Sequence, residues 1–182
     1  MVGSDDRRLV EQCLAGDRGA FEQLVEKYQK AVYNLALRMV HDPDDAEDVS
    51  QNAFLKAFDR LSGYKTEYRF FSWLYRIAVN ESLSLLEERR RYQNLEDAGA
   101  VEDTGQSDTV EADDIREKIE AGLMELKAEY RAVVVLKHFE GLSYEEIGQI
   151  LEIDEKRVKS RLFTARQLLR DILVRKGLRG DD

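Results

Sequence analysis

Apolar residues recur every three or four positions along most of this 182-residue chain, and the pattern is lost between residues 92 and 112. That spacing places apolar side chains on one face of an α-helix, whereas a strand would alternate them at every second position. The chain has one proline and almost no alternation of Val, Ile and Thr with polar residues. The pattern therefore predicts an all-α protein.

Residues 92–112 carry Glu and Asp among Gly, Ala, Ser and Thr, without apolar periodicity. Such a segment cannot bury enough apolar surface to offset the entropy that ordering it would cost. We interpret it as a flexible acidic linker. The predicted organisation is a small helical domain over residues 1–91, the linker 92–112, and a second small helical domain over residues 113–182.

The first domain is predicted to be a bundle of amphipathic helices. Asp42 followed by Pro43 is typical of a helix start, with an N-cap and a proline in the first turn. Stepping 100° per residue along that helix turns Asp48, Gln51 and Leu55 away from its apolar face. An isolated exposed leucine is common and needs no function. The residues alone leave both interpretations of Leu55 open.

The segment over residues 64–76 contains six aromatic residues and three cations, more aromatic surface than one helix face can bury. Part of it is therefore expected at the surface. Core packing is the alternative for Phe70, Phe71, Trp73 and Tyr75 taken singly.

The second domain is predicted to contain a helix-turn-helix. Ser143 and Glu146 form a capping-box pattern, and a three-residue turn at residues 152–154 separates that helix from the next one. Gly148 is small where the two helices must approach each other. Glu152 follows the first helix, and a left-handed conformation there would cost about 1 kcal/mol or more.

The second helix of this motif is basic in an acidic protein. The net charge is −9, yet residues 156–179 carry nine Lys and Arg side chains against the single acid Asp171. Lys and Arg can address guanine or phosphate, and a Phe or a Thr methyl can contact the thymine methyl. The alternative is an ordinary solvated basic helix. The predicted DNA contacts are Lys156, Arg157, Lys159, Ser160, Arg161, Phe163, Thr164, Arg166 and Gln167.

Several functional classes lack support in the sequence. Cys13 is the only cysteine, so no internal disulfide and no cysteine pair for a metal is available. His41 and His138 are isolated, and no glycine-rich phosphate loop or nucleophile arrangement is present. We expect no catalytic residues, no metal and no cofactor. No run reaches the roughly 20 apolar residues of a membrane span and no secretory signal is found, so a cytoplasmic location is expected.

Four motifs together resemble the extracytoplasmic-function sigma factors of the sigma-70 family. They are DDAEDVSQNAF at residues 44–54, WLYRIAVN at 73–80, GLSYEEI at 141–147 and VKSRL at 158–162. The resemblance covers nearly the whole chain except the linker. It implies that residues 1–91 are sigma domain two and that residues 113–182 are sigma domain four.

The resemblance also implies roles for individual residues. The helix with Asp45, Asp48, Gln51, Asn52 and Leu55 would dock on the clamp helices of the largest subunit of core RNA polymerase. Domain four would contact the flap of the second-largest subunit and read the minus-thirty-five element of promoter DNA with the basic helix. An anti-sigma factor is expected as a further partner. The residues expected to recognise and open the minus-ten element are Tyr64, Lys65, Tyr68, Arg69, Phe70, Phe71, Trp73, Arg76 and Asn80.

This chain departs from the family pattern in two places. Thr66 and Glu67 stand in a loop where members often have glycine, and residues 152–154 read Glu-Ile-Asp where the turn usually reads glycine, aliphatic, proline. A stand-alone helix-turn-helix regulator is the alternative function. It would explain the second domain but gives no reason for the outward Asp48, Gln51 and Leu55.

Overall fold

A computed structural model describes residues 3–65, 68–96 and 111–178 of the chain, and all regular structure in these ranges is helical. A 3₁₀ turn at Leu61–Gly63 precedes the fourth helix, and a π-helical turn at Val135–Phe139 continues the sixth. The all-α prediction is confirmed. The helices are α1 (Gly3–Leu14), α2 (Arg18–Val40), α3 (Pro43–Asp59), α4 (Phe70–Glu96), α5 (Glu111–Glu125), α6 (Ala128–Val134), α7 (Tyr144–Leu151) and α8 (Glu155–Arg175).

Helix α2 is the centre of the first unit and packs against α1, α3 and α4. It begins where the Asp17 side chain accepts a hydrogen bond of 3.0 Å from the Gly19 amide. It ends at His41, whose left-handed backbone has a φ of 59°. Its predicted apolar stripe is buried, since Leu24, Val32 and Leu35 have no exposed surface. Burying this stripe is the main source of stability that the sequence supplies to the unit.

Helix α3 starts and packs as its sequence predicts. The Asp42 carboxylate accepts from the Asp45 amide at 3.0 Å, and Pro43 occupies the first turn. Small side chains allow the face of α3 toward α2 and α4 to lie close to them. The buried members of that face include Ala46, Val49, Ala53 and Ala57.

The helix-turn-helix of the second unit has both predicted caps. Ser143 and Glu146 make the two reciprocal hydrogen bonds of a capping box, at 3.2 and 2.9 Å. Asp154 caps α8 by accepting from the Arg157 amide at 2.8 Å. Between them Glu152 is left-handed, with a φ of 54°. Glu152 therefore adopts the left-handed conformation whose energetic cost was given above.

The buried Arg131, on α6, ties the C-terminal ends of two helices, α5 and α2, together. Its guanidinium donates to the carbonyls of Leu123, Met124 and Leu126 at 2.8 to 3.2 Å, and also to the carbonyl of Met39 near the end of α2. Burial lowers the pKa of Arg131 to about 10, so the side chain remains charged at neutral pH. A cation is favoured at helix C-terminal ends because the carbonyl dipoles there are unpaired. This side chain links the first unit to the second.

The two units also contact each other elsewhere: α4 packs on α7 and α6, and α2 packs on α5 and α6. This contact was not predicted, because amphipathic spacing gives the faces of helices without giving their partners in another domain.

The described helices extend into both ends of the predicted linker. Helix α4 continues to Glu96 and α5 begins at Glu111, while residues 97–110 lie outside the described residues. The segment after Arg91 contains no glycine or proline before Gly99, and Leu and Glu favour helix. A helix can therefore continue past its last buried residue.

Replacing Gly148 by alanine should destabilise the helix-turn-helix. A Cβ atom at this position would lie 2.7 Å from the Ile153 carbonyl oxygen, a backbone atom that cannot move away alone. We expect the free energy of unfolding to fall by about 1 to 3 kcal/mol, as for overpacked sites. The measurement is urea denaturation, with Gly63→Ala as control because nothing lies within 4 Å of a Cβ there. An equal effect of both substitutions would contradict the proposed close approach.

Candidate nucleic-acid and polymerase interfaces

The outward face of α8 carries most of the predicted reading residues. Phe163 is the most exposed of its large apolar side chains, at 67%. Lys156, Arg157, Ser160 and Gln167 are exposed, and Thr164 is half-buried at the edge of this face. Val158, Leu162 and Ala165 are buried on the opposite side. The periodicity of α8 therefore gave the correct inward and outward faces.

Three predicted DNA-contacting cations on α8 already have partners in the protein: Lys159 and Arg161 pair with glutamates, and Arg166 bonds to a histidine. Lys159 lies 3.4 Å from Glu155 on the same helix. Arg161 reaches Glu129 at 3.2 Å and is only 22% exposed. Ion pairs of exposed side chains contribute little to stability, so such cations can exchange a carboxylate for a phosphate at small cost.

Arg166 bonds to the imidazole of His138 instead of to a carboxylate. Its Nε donates to the histidine Nε2 at 3.2 Å. Burial, together with Arg166 and Lys137, lowers the pKa of His138, so the ring is neutral and can accept this bond at neutral pH.

A cluster of aromatic rings supports the predicted minus-ten segment from below. The centroid of Tyr64 lies 5.7 Å from that of Phe70 and 5.3 Å from that of Trp73. Phe70 is 2% exposed and also contacts Tyr28. The Tyr64 hydroxyl donates to the Tyr68 carbonyl at 2.5 Å, which fixes the two ends of the loop relative to each other.

The direct base contact expected of Phe70 is revised by this geometry. Its ring lies in the core, so Phe70 holds the segment in position and does not face solvent. Phe71 is half-buried and stacks edge-on against Tyr75, which is itself buried. The alternative of core packing therefore holds for Phe70 and Tyr75.

Four of the predicted residues, Lys65, Tyr68, Trp73 and Arg76, line a cleft of about 420 Å³, whereas Arg69 and Asn80 are exposed outside its lining. Lys65 is exposed, Tyr68 is 46% exposed, and Trp73 and the Arg76 side chain are partly exposed. Asn80 is exposed one turn beyond Arg76, while residues 66 and 67 lie outside the described residues. The far wall of the cleft belongs to the second unit, with Gly148, Gln149 and Glu152.

The predicted docking helix presents an exposed patch beside an apolar groove. Leu55 is 63% exposed, and Asp48, Gln51 and Asn52 are exposed with it. A groove of about 800 Å³ runs between α2 and α3 beside this patch. It is lined by Phe21, Val25, Tyr33, Phe54, Leu55 and Phe58.

Asp45 does not belong to this patch. Its carboxylate is mostly buried and pairs with Arg89 near the end of α4. Burial raises the pKa of Asp45, and the Arg89 charge opposes that shift. The docking contact expected of Asp45 is revised: it braces α3 against α4, whereas the other four residues face outward.

Sequence reasoning missed a second apolar groove, of about 590 Å³, on the second unit. Leu126, Tyr130, Leu168 and Ile172 line it, and Leu168 is 40% exposed. The signal was present in α8, because Leu168 lies outside the core spacing. This signal becomes specific only together with Leu126 and Tyr130, which the fold brings next to Leu168.

In the parts of the chain that the structure describes, no three His, Cys, Asp or Glu side chains are placed to hold a metal ion. None of the helices in those parts has the length and apolar character that crossing a membrane requires.

Comparisons with known proteins agree with the two-unit organisation. Residues 24–92 match the model of Sigma-70 region 2, and residues 116–169 match that of Sigma-70, region 4. The RNA polymerase sigma-H factor of Pseudomonas aeruginosa is 36% identical over 93% of this chain and 94% of its own. The ECF RNA polymerase sigma factor SigW of Bacillus subtilis is 32% identical over 90% of this chain and 94% of its own.

Solved structures give the same result. CnrH, determined in complex with the cytosolic domain of CnrY, superposes with a TM-score of 0.72 at 28% identity over 93% of this chain and 97% of its own. The sigma factor RpoE of Bartonella quintana, in complex with the anti-sigma factor NepR, gives 0.67 at 25% identity over 84% and 96%.

A helical bundle with an aromatic cleft, followed by a helix-turn-helix with a basic reading helix, defines a two-module transcription factor. The chain belongs to the sigma-70 family of RNA polymerase sigma factors, among its extracytoplasmic-function members. The resemblance stated from the motifs is confirmed, and the stand-alone regulator is not favoured.

Proposed function

We propose that this chain binds core RNA polymerase, directs it to promoters with a specific minus-thirty-five element, and starts opening at the minus-ten element. The observation that carries the proposal is the coexistence of three surfaces in one chain of this family. They are the α3 patch with its groove, the aromatic cleft before α4 and the outward face of α8.

Reading of the minus-thirty-five element is assigned to α8. Lys156 and Arg157, in its first turn, can address guanine or phosphate, and the exposed Phe163 can contact a thymine methyl. Arg161 and Arg166 lie at the borders of this face and would exchange their protein partners for phosphates. Ser160, Thr164 and Gln167 supply hydrogen-bonding groups between them.

Opening of the minus-ten element is assigned to the cleft. A base leaving the duplex loses stacking worth a few kcal/mol, and stacking on an aromatic side chain returns about 1 to 3 kcal/mol. Tyr68 is the most exposed aromatic of the described cleft residues, and Lys65, Arg69 and Arg76 can hold the neighbouring phosphates.

Core polymerase is expected to bind at two places. The patch of Asp48, Gln51, Asn52 and Leu55 would dock on the clamp helices, with Leu55 entering an apolar site next to the groove. The groove between α5, α6 and α8 is the proposed binding site for the flap of the second-largest subunit. Both surfaces combine exposed apolar area with a polar rim, as protein interfaces do.

The remaining assignments follow from this role. A sigma factor acts by binding, so we assign no catalytic activity, no metal and no cofactor. Transcription places the protein in the cytoplasm. An anti-sigma factor is proposed as its regulator, on the likeness to RpoE solved with NepR.

Added core polymerase should be required for tight, selective promoter binding. An acidic protein with one basic helix has little non-specific attraction to DNA, because phosphate contacts supply most of that affinity. The test is a pull-down with core polymerase followed by footprinting and transcription from genomic promoter fragments. A chain that ignores core polymerase and protects an operator alone would be a regulator, and the proposal would fail.

Replacing Leu55 by arginine should weaken binding to core polymerase at least about tenfold. A central apolar residue of an interface typically contributes more than 1 kcal/mol, and a buried unpaired charge adds to the loss. Leu14→Arg is the matched control, since Leu14 is similarly exposed, at 53%, on α1. Affinity for core enzyme is measured by fluorescence anisotropy. Equal affinities for the two variants would remove Leu55 from the interface.

Replacing Tyr68 by alanine should impair promoter opening and leave closed-complex formation nearly unchanged. The variant loses a stacking surface but keeps the buried cluster of Tyr64, Phe70 and Trp73. Permanganate reactivity of thymines in the minus-ten region is expected to fall about five- to hundredfold, from the energy of stacking one base. Tyr92→Ala is the control, because Tyr92 is exposed at 60% on α4 far from the cleft segment in sequence. Unchanged reactivity in Tyr68→Ala would argue against stacking.

A further inference from the structure

Three carboxylates of the second unit lie against the cleft segment and α4. Glu146 accepts from Arg69 at 3.1 Å, and Glu152 accepts from Arg76 at 3.0 Å. Glu140 accepts from the hydroxyl of the buried Tyr75 at 2.8 Å. Glu152 directly follows α7, Glu146 lies in its first turn, and Glu140 lies four residues before its start.

The cations in these pairs are those that the proposed function gives to the DNA backbone. Arg76 lines the cleft, Arg69 follows the lining residue Tyr68 in the chain, and the far wall is made by Gly148, Gln149 and Glu152. A single strand in the cleft would need the space of α7 and the charges that Glu146 and Glu152 neutralise. Promoter DNA and the helix-turn-helix cannot both occupy this site.

We propose that α7 with its glutamates is a built-in competitor of promoter DNA, which closes the minus-ten cleft of the free protein. The inference rests on the proposed function of the cleft. The carboxylates of Glu146 and Glu152 occupy the place of strand phosphates on Arg69 and Arg76. The partner of the cleft in the free protein is thus the helix-turn-helix of the same chain.

The closed arrangement is held by contacts that are individually modest. Arg69 and Glu152 are about two-thirds exposed, so their ion pairs are screened by solvent and salt. Arg38 lies over the ring of Phe139 at 4.7 Å, and the stronger contact, that of the buried Arg131 with the Met39 carbonyl, is made at the end of α2 and not at the cleft. Contacts of this kind between domains permit separation when a stronger partner competes for the same surfaces.

Glu152 is the residue whose substitution best distinguishes the proposed competition with DNA from ordinary packing between the two units. It is left-handed, a conformation in which glycine is more favourable, yet its side chain reaches across to the other unit. A turn needs only the backbone conformation at this position. Among the described residues, the Glu152 carboxylate pairs with Arg76 alone.

The experiment measures the radius of gyration of the free full-length protein by small-angle X-ray scattering. A compact chain of this length has a radius of about 16 Å. Glu152→Arg places two cations together and should raise the radius, with the ratio of open to closed molecules increasing about threefold to tenfold. The double variant Arg76→Glu, Glu152→Arg restores an ion pair of opposite sense and should return the radius toward that of the native chain.

Glu117→Arg is the charge-matched control, because Glu117 is exposed on α5 and makes no ion pair with the described residues. Scattering of Glu152→Arg that equals that of the control would overturn the proposal. A double variant whose radius of gyration stays as large as that of Glu152→Arg would also overturn the proposal. The opening would then not come from the ion pair of Arg76 with Glu152.

A second readout connects opening to DNA. The probe is a fluorescent single strand with the non-template minus-ten sequence of a promoter mapped with the holoenzyme. Without core polymerase, Glu152→Arg should bind this strand at least about threefold more tightly than the Glu117→Arg control. Opening without tighter binding would overturn the competition with DNA.

Failure of the proposed function would give a different pattern. The native chain would not bind core polymerase, whereas the scattering results, which need neither DNA nor polymerase, would be unaffected.

Discussion

Pairing of a small number of outward cations with the protein's own carboxylates is the constraint on which the proposed DNA contacts depend. The chain has 37 acidic and 28 basic residues, and several of the cations proposed to contact DNA are paired with its own acids. Arg69, Arg76, Lys159 and Arg161 all lie against glutamates in the described structure. Because such pairs are partly exposed, each can be exchanged for a phosphate with little loss. A protein of this kind keeps weak affinity for random DNA and gains affinity only where several exchanges occur together.

The aromatic residues of the segment have two roles: Phe70 is packed and supports the segment, whereas Tyr68 is exposed and available for contact. Phe70 and Tyr64 form a packed cluster with Trp73, and the cluster fixes the segment from which Tyr68 projects. A base can stack productively only on a ring whose position is already fixed, since ordering that ring on binding would consume part of the stacking energy. Substitutions in the cluster should therefore affect opening indirectly, through the position of the segment.

Local features of the fold could be predicted from the sequence, and features between distant elements could not. The caps at Asp42, Ser143 and Asp154 depend on bonds between residues three positions apart, so their patterns are visible in the chain. The burial of α2 and the outward face of α8 follow from periodicity alone. The inward turn of Asp45 depends on Arg89, 44 positions away, and no local pattern indicates that pair. The same holds for the bond of Arg131 to the Met39 carbonyl, and for the packing of Phe70 against Tyr28, 42 positions away.

The energetics of Glu152 shows why its identity is better explained by the contact with Arg76 than by stability. A left-handed non-glycine residue costs about 1 kcal/mol or more relative to glycine. An exposed ion pair returns at most about the same amount, and less in salt. The turn has to end α7 early, because Gly148 must pack against the Ile153 carbonyl, and glycine at residue 152 would do this at lower cost. A glutamate there gives no net gain in folding. What it adds is a charge placed on Arg76 of the opposite unit, which is the contact on which the proposed closure of the cleft rests.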